Sequence, residues 1–550
     1  MSDNLVIYTE KTFYNPDTKI WRGQTVDITC GTNDSIASLA LKKMLENPEH
    51  IGQVCYQSGN ELTNLEIAKR TVQVAKHFSE KLHLQQCDMI GLCASNTDYV
   101  APMVFGALAA GLCISTLDPS FDKAGIKHVY SLTKPRLMFC DGSIYERVRE
   151  AFNECGLAST KIYTMSKHLE GVPSIMEFFE DGVEDPRDFR VPPLKNGINQ
   201  TAFIICTSGT TGLPKGVCVS HATYLCNGLT LDSFQNSRLL CFSTLYWISG
   251  LFALIHGTIG GAKRIISEQP FNVDDFFDIV ERYKVNMTVG PPSQIALALS
   301  SDTIARRDLS SLQACILAGS PVLYSLTEKF RKYAVNAYCL VAYGSSETSG
   351  ISAGQSLPNN SVGALCPNIE IKIVDDNGKR LGPNESGELC VRSKLPWAGY
   401  YGNPQETKEK YDDEGWICTG DIGYFNDDRE LILVDRKCDI RKYNNFHFSP
   451  TDIENVISEL PEVADVCVVG IPHSVHGFLP AACVIKRANT EIDEAQICQH
   501  VVQRMQNFEH LRGGVYFVDS FPRTASGKTI RRNVTEMCEK LWHKRMNGKH

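Results

Sequence analysis

From about residue 64 the chain alternates amphipathic helical stretches with short apolar runs. A helical pattern over roughly 64–82 is followed by "MIGLCAS" (89–95), a helix, a strand around 112–116, a helix around 122–133 and "PRLMFCD" (135–141). Few architectures accept that order. Strands separated by helices form βαβ units, hence a mainly parallel sheet covered on both faces. A second series is expected to begin at "AFIICTS" (202–208) and run through "SRLLCFSTL", "AKRIISE", "VNMTVG" and "ACILAGS". Two stacked α/β units then account for roughly the first 330 residues.

Beyond residue 340 the texture changes to "IEIKIVDD", "GELCVRS" and "LILVDR", separated by Asp-Asn-Gly, Gly-Pro-Asn and Asn-Asp-Asp. Those turn signals predict a small antiparallel β unit. After "VDRKCD" (434–439) the pattern becomes α+β. "SPTDIENVISEL" opens with an N-cap and a first-turn proline, and the strands "VADVCVVGIP" and "AACVIKR" follow. A domain boundary is expected at 436–439, between a large domain over 1–435 and a small one over 440–550.

With 550 residues the chain exceeds the size of one core. A net charge of -8 argues against nucleic acid as the main partner, which needs a basic footprint. The 21 cysteines include no C-x-x-C pair, and no apolar leader opens the chain, so reduced thiols in a cytoplasmic-type compartment are expected. The uncharged run at 100–117 approaches membrane-spanning length. Pro102 and its glycines interrupt it, and a helix leading into a buried strand is the reading adopted. No obligate protein partner is expected, and "MNGKH" is not the S-K-L peroxisomal address.

One loop carries chemistry. "TSGTTGLPKG" (207–216) follows an apolar run. Gly209, Gly212 and Gly216 let the backbone approach a ligand closely. Thr207, Ser208, Thr210 and Thr211 offer hydroxyls, and Lys215 adds a cation, a combination suited to nucleotide phosphates. It is not G-x-x-x-x-G-K-[ST], because Leu213 and Pro214 follow the glycine. Nor is "PRTASGKT" near the other end, where Pro522 stands in place of the first glycine.

That ordered loop resembles the signature of the adenylate-forming superfamily: acyl-CoA synthetases, peptide-synthetase adenylation domains and beetle luciferases. The resemblance extends along the whole chain. It implies a large domain of two α/β sub-domains plus a small β-barrel, followed by a small mobile α+β C-terminal domain. In "YGSSETSG" (343–350) it implies that Tyr343 and Gly344 lie at the adenine, with Ser346 and Glu347 near Mg²⁺ and the phosphates. "LAGSPV" places Gly319, Ser320 and Pro321 along the adenine and α-phosphate. "GWICTGDIGY" makes Asp421 the acceptor of the ribose hydroxyls, and Arg436 also reaches the ribose before the hinge. Lys528, in "FPRTASGKTIRR", is implied to meet the α-phosphate and the substrate carboxylate.

The implied reaction is attack of a carboxylate on the α-phosphorus of Mg·ATP, giving an acyl-adenylate and pyrophosphate, then transfer to coenzyme A. In relatives the hinge carries Asp or Lys where this chain has Cys438. Lys442 matches the lysine of the segment along which pantetheine slides, but Asn445 replaces its glycine. Tyr246 and Trp247 stand where luciferases have a histidine pair, and Asn227 where they have an arginine. Trp247, Ile248, Ser249, Phe252, Gly350 and Ile351 are expected to form an apolar substrate wall. The expectation is an acyl-CoA synthetase for a medium or long fatty acid. Alternatives are a 4-coumarate-type ligase, a luciferase, or a non-catalytic acyl or nucleotide carrier. Peroxisomal residence is the alternative location, by family resemblance.

Overall fold

The computed structural model describes residues 11–27, 31, 34–180, 182, 185–207, 214–225, 234–359, 361–395, 397–437, 439–444, 446–523 and 529–547. Four sheets organise them. The first has six strands in the order Lys215–Ser220, Thr201–Thr207, Cys113–Thr116, Met89–Cys93, Leu137–Cys140, Lys161–Thr164, parallel except for its first pair. The second has nine, running from the Ala364–Leu365, Ser349–Gln355, Tyr338–Ser345 edge through four parallel neighbours to Ile51–Cys55 and Glu61–Thr63.

The division between the two series differs from the sequence expectation. Thr201–Thr207 does not open the second sheet. It lies parallel to Cys113–Thr116 in the first, with Ile114 opposite Phe203. The second sheet also borrows Ile51–Cys55 from upstream, as the parallel neighbour of Lys263–Ile266. All-apolar strands that are buried on both faces carry no pattern saying which sheet they join.

Helices Ile36–Glu46, Asn64–Lys76, Val100–Ala109 and Ile248–Ile259 supply the largest apolar core together with the first sheet. Every residue of Val100–Ala109 is buried, which explains its membrane-like composition. Gly106 allows the close crossing with Asn64–Lys76: a Cβ there would sit 2.5 Å from the Val74 side chain. Removing the Phe105 ring from this core should cost about 3–5 kcal/mol. His221, fully buried, accepts the Ile36 N–H on Nδ1 at 3.1 Å and so ties down the start of Ile36–Glu46. Among the described residues no helix is long and apolar enough to cross a membrane.

The expected antiparallel unit is a six-stranded sheet: Phe13–Asn15, Ile20–Arg22, Ile369–Val374, Gly387–Ser393, Ile417–Phe425, Leu431–Arg436. Its first two strands come from near the start of the chain, which the sequence pattern did not reveal. Trp21, buried, stacks on Phe425 at 4.2 Å across this sheet's interior.

The fourth sheet contains only residues after 440. Its strands are Phe446–Phe448, Arg441–Tyr443, Gly477–Lys486 and Val463–His473, with Gly514–Phe517 parallel to Gly477–Lys486. Pro450–Ile457 and Glu494–Arg504 contribute to one apolar cluster of this unit, and Arg531–Asn547 to another. Ser449 caps Pro450–Ile457 as expected, accepting the Asp452 N–H, and its hydroxyl donates to Asp435 at 3.0 Å.

Candidate active site

A cleft of about 1610 Å³ is lined by residues from the first three sheets and reaches Arg523 and Ile530. That volume exceeds the roughly 300–1,000 Å³ of an ordinary small-molecule pocket and leaves room for two substrates.

Thr207 and Lys215 sit opposite each other in the register of their two antiparallel strands, at the base of the phosphate-type loop, and both line the cleft. Ser208, Gly209, Thr210, Thr211 and Gly212 lie outside the described residues, as do Asn227, Cys438, Asn445 and Lys528. Lys215 Nζ is 3.0 Å from Glu406 Oε2 and 5.4 Å from the centre of the Tyr400 ring. Tyr400 in turn donates its hydroxyl to Glu347 Oε1 at 2.8 Å. Burial and the Glu347 charge hold the Tyr400 phenol protonated by raising its pKa. Glu406, Lys215, Tyr400 and Glu347 thus form one linked row along the cleft.

Tyr343 lies on the first strand of a tight hairpin and Glu347 in its turn. Gly344 is obligatory there, because a Cβ would lie 2.0 Å from the Ser349 carbonyl oxygen, and Ser349 itself takes a φ of 60°. Ser346 lines the cleft beside Glu347. Their hydroxyl and carboxylate are hard oxygen donors of the type Mg²⁺ takes, and one oxygen of Glu347 is already held in place by Tyr400.

Tyr343 OH donates to Asp421 Oδ2 at 2.6 Å, and Arg436 Nε lies 3.1 Å from Asp421 Oδ1. Asp421 and Arg436 are direct partners across adjacent antiparallel strands, so the pairing register alone brings them together. The Asp421 N–H donates to Thr419 Oγ1 at 3.0 Å, which fixes the strand backbone across Gly420, whose φ is 79°. Burial, then the neighbouring Asp421 carboxylate, pushes the Tyr343 phenol well above its ordinary pKa. Gly319, at φ 91°, and Ser320 also line the cleft. Pro321 does not; it is exposed just beyond.

Trp247, Ile248, Ser249, Phe252 and Gly350 line the same cleft. Ile351 does not, which corrects the expected wall. Strand alternation turns it to the opposite face, where it is fully buried in the core near Val362 and Leu365. Phe234, Tyr224, His256 and Leu340 extend the lining. His256 is buried, one ring nitrogen lies 3.1 Å from the Tyr224 carbonyl, and burial drops its pKa to about 4, so it is neutral near pH 7. Lys442 is exposed on Arg441–Tyr443 in the fourth sheet and does not line the cleft.

Sequence reasoning missed Tyr400, Glu406 and Thr419. Thr419 stands two residues before Asp421 and was within the quoted motif, but nothing in spacing marks Tyr400 or Glu406 as partners of Glu347 and Lys215.

These linings define a nucleotide-type site with an apolar annex. The chain belongs to the AMP-binding enzyme family: residues 42–401 match it, and 452–528 match the AMP-binding enzyme C-terminal domain. It is 28% identical over 515 residues to the 4-coumarate–CoA ligase-like 1 of Arabidopsis thaliana, covering 90% of this chain and 93% of that one. It is 27% identical over 490 residues to the luciferin 4-monooxygenase of Photuris pensylvanica, covering 86% and 89%. The crystal structure of ATP-bound MatB from Rhodopseudomonas palustris shares the fold, with a TM-score of 0.80, 22% identity, and coverage of 92% and 99%.

Proposed function

We propose that this protein joins a medium- or long-chain fatty acid to coenzyme A in two steps at the one cleft. The observation that carries the reading is that the Tyr343–Asp421–Arg436 set and the Trp247–Phe252 wall line the same cavity. In the first step an oxygen of the acid carboxylate attacks the α-phosphorus of ATP and pyrophosphate leaves. Asp421 and Arg436 orient the ribose, Tyr343 flanks the adenine, and Thr207 and Lys215 hold the phosphates. Lys215 would exchange its partner Glu406 for phosphate oxygens, while Lys528 would steady the charge on the α-phosphate. Ser346 and Glu347 would hold Mg²⁺, which supplies charge neutralisation when bound.

In the second step the thiol sulfur attacks the acyl carbon and AMP leaves. For that step residues 440–550 would turn about a hinge at 436–439, bringing Lys442 to the cleft. Coenzyme A is therefore the second substrate in this reading, and 1–435 the adenylating domain.

The test is a panel of aliphatic and aromatic acids assayed for both pyrophosphate release and thioester. The expected result is release and thioester greatest with aliphatic acids of medium or long chain. A best response to cinnamate-type acids would replace the fatty acid with a coumarate-type substrate. No release with any acid would overturn the adenylation reading. Tyr246 and Trp247, in place of the luciferase histidines, speak against light emission, which luciferin plus ATP would detect.

A further inference from the structure

Among the described residues, four pairs of cysteines face each other directly across neighbouring strands: Cys93 with Cys140, Cys315 with Cys339, Cys390 with Cys418, and Cys467 with Cys483. Three are buried on both sides. Cys390–Cys418 differs, because Cys390 is buried while Cys418 is partly exposed, and their Sγ atoms are 3.7 Å apart.

We propose that Cys390 and Cys418 are a peroxide-responsive dithiol that closes a disulfide across the strands carrying the Asp421 site. Directly opposed antiparallel residues have Cα atoms about 4.5 or 5.5 Å apart, inside the disulfide range of about 4.4–6.8 Å. Closure therefore needs the sulfurs to approach to about 2.05 Å without repacking the strands wholesale. The accessible thiolate of Cys418 attacks one oxygen of a peroxide, breaking the O–O bond and releasing water or an alcohol as the sulfenic acid forms. The Cys390 thiol then attacks that sulfur, forming the S–S bond and releasing water. Two thiols lose two electrons, and the peroxide gains them. A dithiol reductant reverses the step.

The surroundings favour this over a divalent-cation site at Cys390, Cys418 and Asp412, whose ligand atoms lie within 4.8 Å of one another. Asp412 is already engaged: Oδ2 takes Lys372 Nζ at 2.6 Å, and Oδ1 accepts the Glu414 and Trp416 N–H groups, each at 2.9 Å. The buried Lys372 ammonium is also the cross-strand neighbour of Cys390, where it repels a metal ion and attracts a thiolate. Exposure assigns the roles: partly exposed Cys418 is the attacking thiol and buried Cys390 the resolving one, and the thiol–thiol hydrogen bond favours the Cys418 thiolate.

The bond would act on the nucleotide site through Thr419. Its hydroxyl accepts the Asp421 N–H and donates to the Leu389 carbonyl at 2.9 Å, so it bridges the same two strands as the cysteine pair. Drawing those strands together one residue away shifts the carboxylate that faces the ribose. This consequence rests on the proposed nucleotide role of Asp421; the disulfide does not.

The experiment uses the reduced full-length protein, treated with hydrogen peroxide and mapped by alkylation and mass spectrometry, with exposed Cys87 as the rate standard. The expected result is a Cys390–Cys418 cross-linked peptide that forms faster than Cys87 oxidises and is reversed by dithiothreitol. Cys418→Ser removes it, and Cys390→Ser leaves Cys418 as a sulfenic acid trapped by dimedone. Oxidation should weaken equilibrium ATP binding at least about fivefold, and Cys418→Ser should be immune. Oxidation of Cys418 no faster than Cys87, or stoichiometric zinc retained by the reduced protein, would overturn the dithiol. A cross-link with unchanged ATP binding would overturn the coupling. Reduced protein that binds no ATP yet still cross-links would overturn the function above and the coupling, and leave the dithiol standing.

Discussion

The nucleoside set and the apolar wall share one cleft, yet they are held in opposite ways. At Tyr343, Asp421 and Arg436 the phenol oxygen, both carboxylate oxygens and the guanidinium Nε have partners within about 3 Å, the Asp421–Arg436 pair being set by strand register. At Trp247, Phe252 and Phe234 the contacts are ring against ring, such as Phe234 against Phe252 at 5.7 Å, and impose no donor or acceptor pattern. The difference teaches that the first region can be disrupted by one atom, while the second responds to volume. Hydrogen bonds are directional and hydrophobic contact is not.

Several substitutions test how sharp that contrast is. The largest loss belongs to Lys528→Ala, which should slow pyrophosphate exchange by about 100–1,000-fold while leaving the fold intact. Unchanged exchange would remove that lysine from the mechanism. Asp421→Asn keeps the volume and removes the charge opposite Arg436, so ATP affinity should fall by about 10–100-fold with little change in acid preference. If acid preference moved instead, the two regions would not be separable. Trp247→Ala should do the reverse, shifting the preferred acid by about 10-fold or more per methylene and leaving ATP affinity near that of the parent.

The last effect is on stability rather than on binding or rate. His256 has a folded-state pKa of about 4 against an ordinary value of 6.5, so between those values the unfolded chain binds the extra proton. Its contribution is therefore full above pH 6.5 and falls by up to about 3 kcal/mol as pH drops to 4. His256→Gln should flatten that limb in urea unfolding measured across this range. An unchanged slope would mean that the wall admits a charged imidazole, against the apolar character drawn here.

The same contrast governs what the sequence revealed. Thr207 and Lys215, at the two ends of the ordered loop, and the Thr-Gly-Asp of residues 419–421 were legible as cleft residues because charge pairing and close backbone approach tolerate few residue types. The strand Thr201–Thr207 was legible as a strand but not as a member of the first sheet, since buried apolar runs look alike whichever neighbour they choose. Ile351 was misplaced for a related reason, being one residue from Gly350 and so on the other face. Tyr400 left no trace, because a tyrosine gains its meaning only when a distant segment lays Glu347 beside it.

The opening hairpin raises a question of timing. Trp21 pairs with Ile371, and the Asn368 side chain holds the backbone of Val26 across 342 positions. At a synthesis rate of about 5–20 residues per second, these strands wait roughly 20–70 s for their distant partners to be made. For that interval a large indole ring has no permanent shelter, so this hairpin settles only once a strand about 350 residues further on has been made.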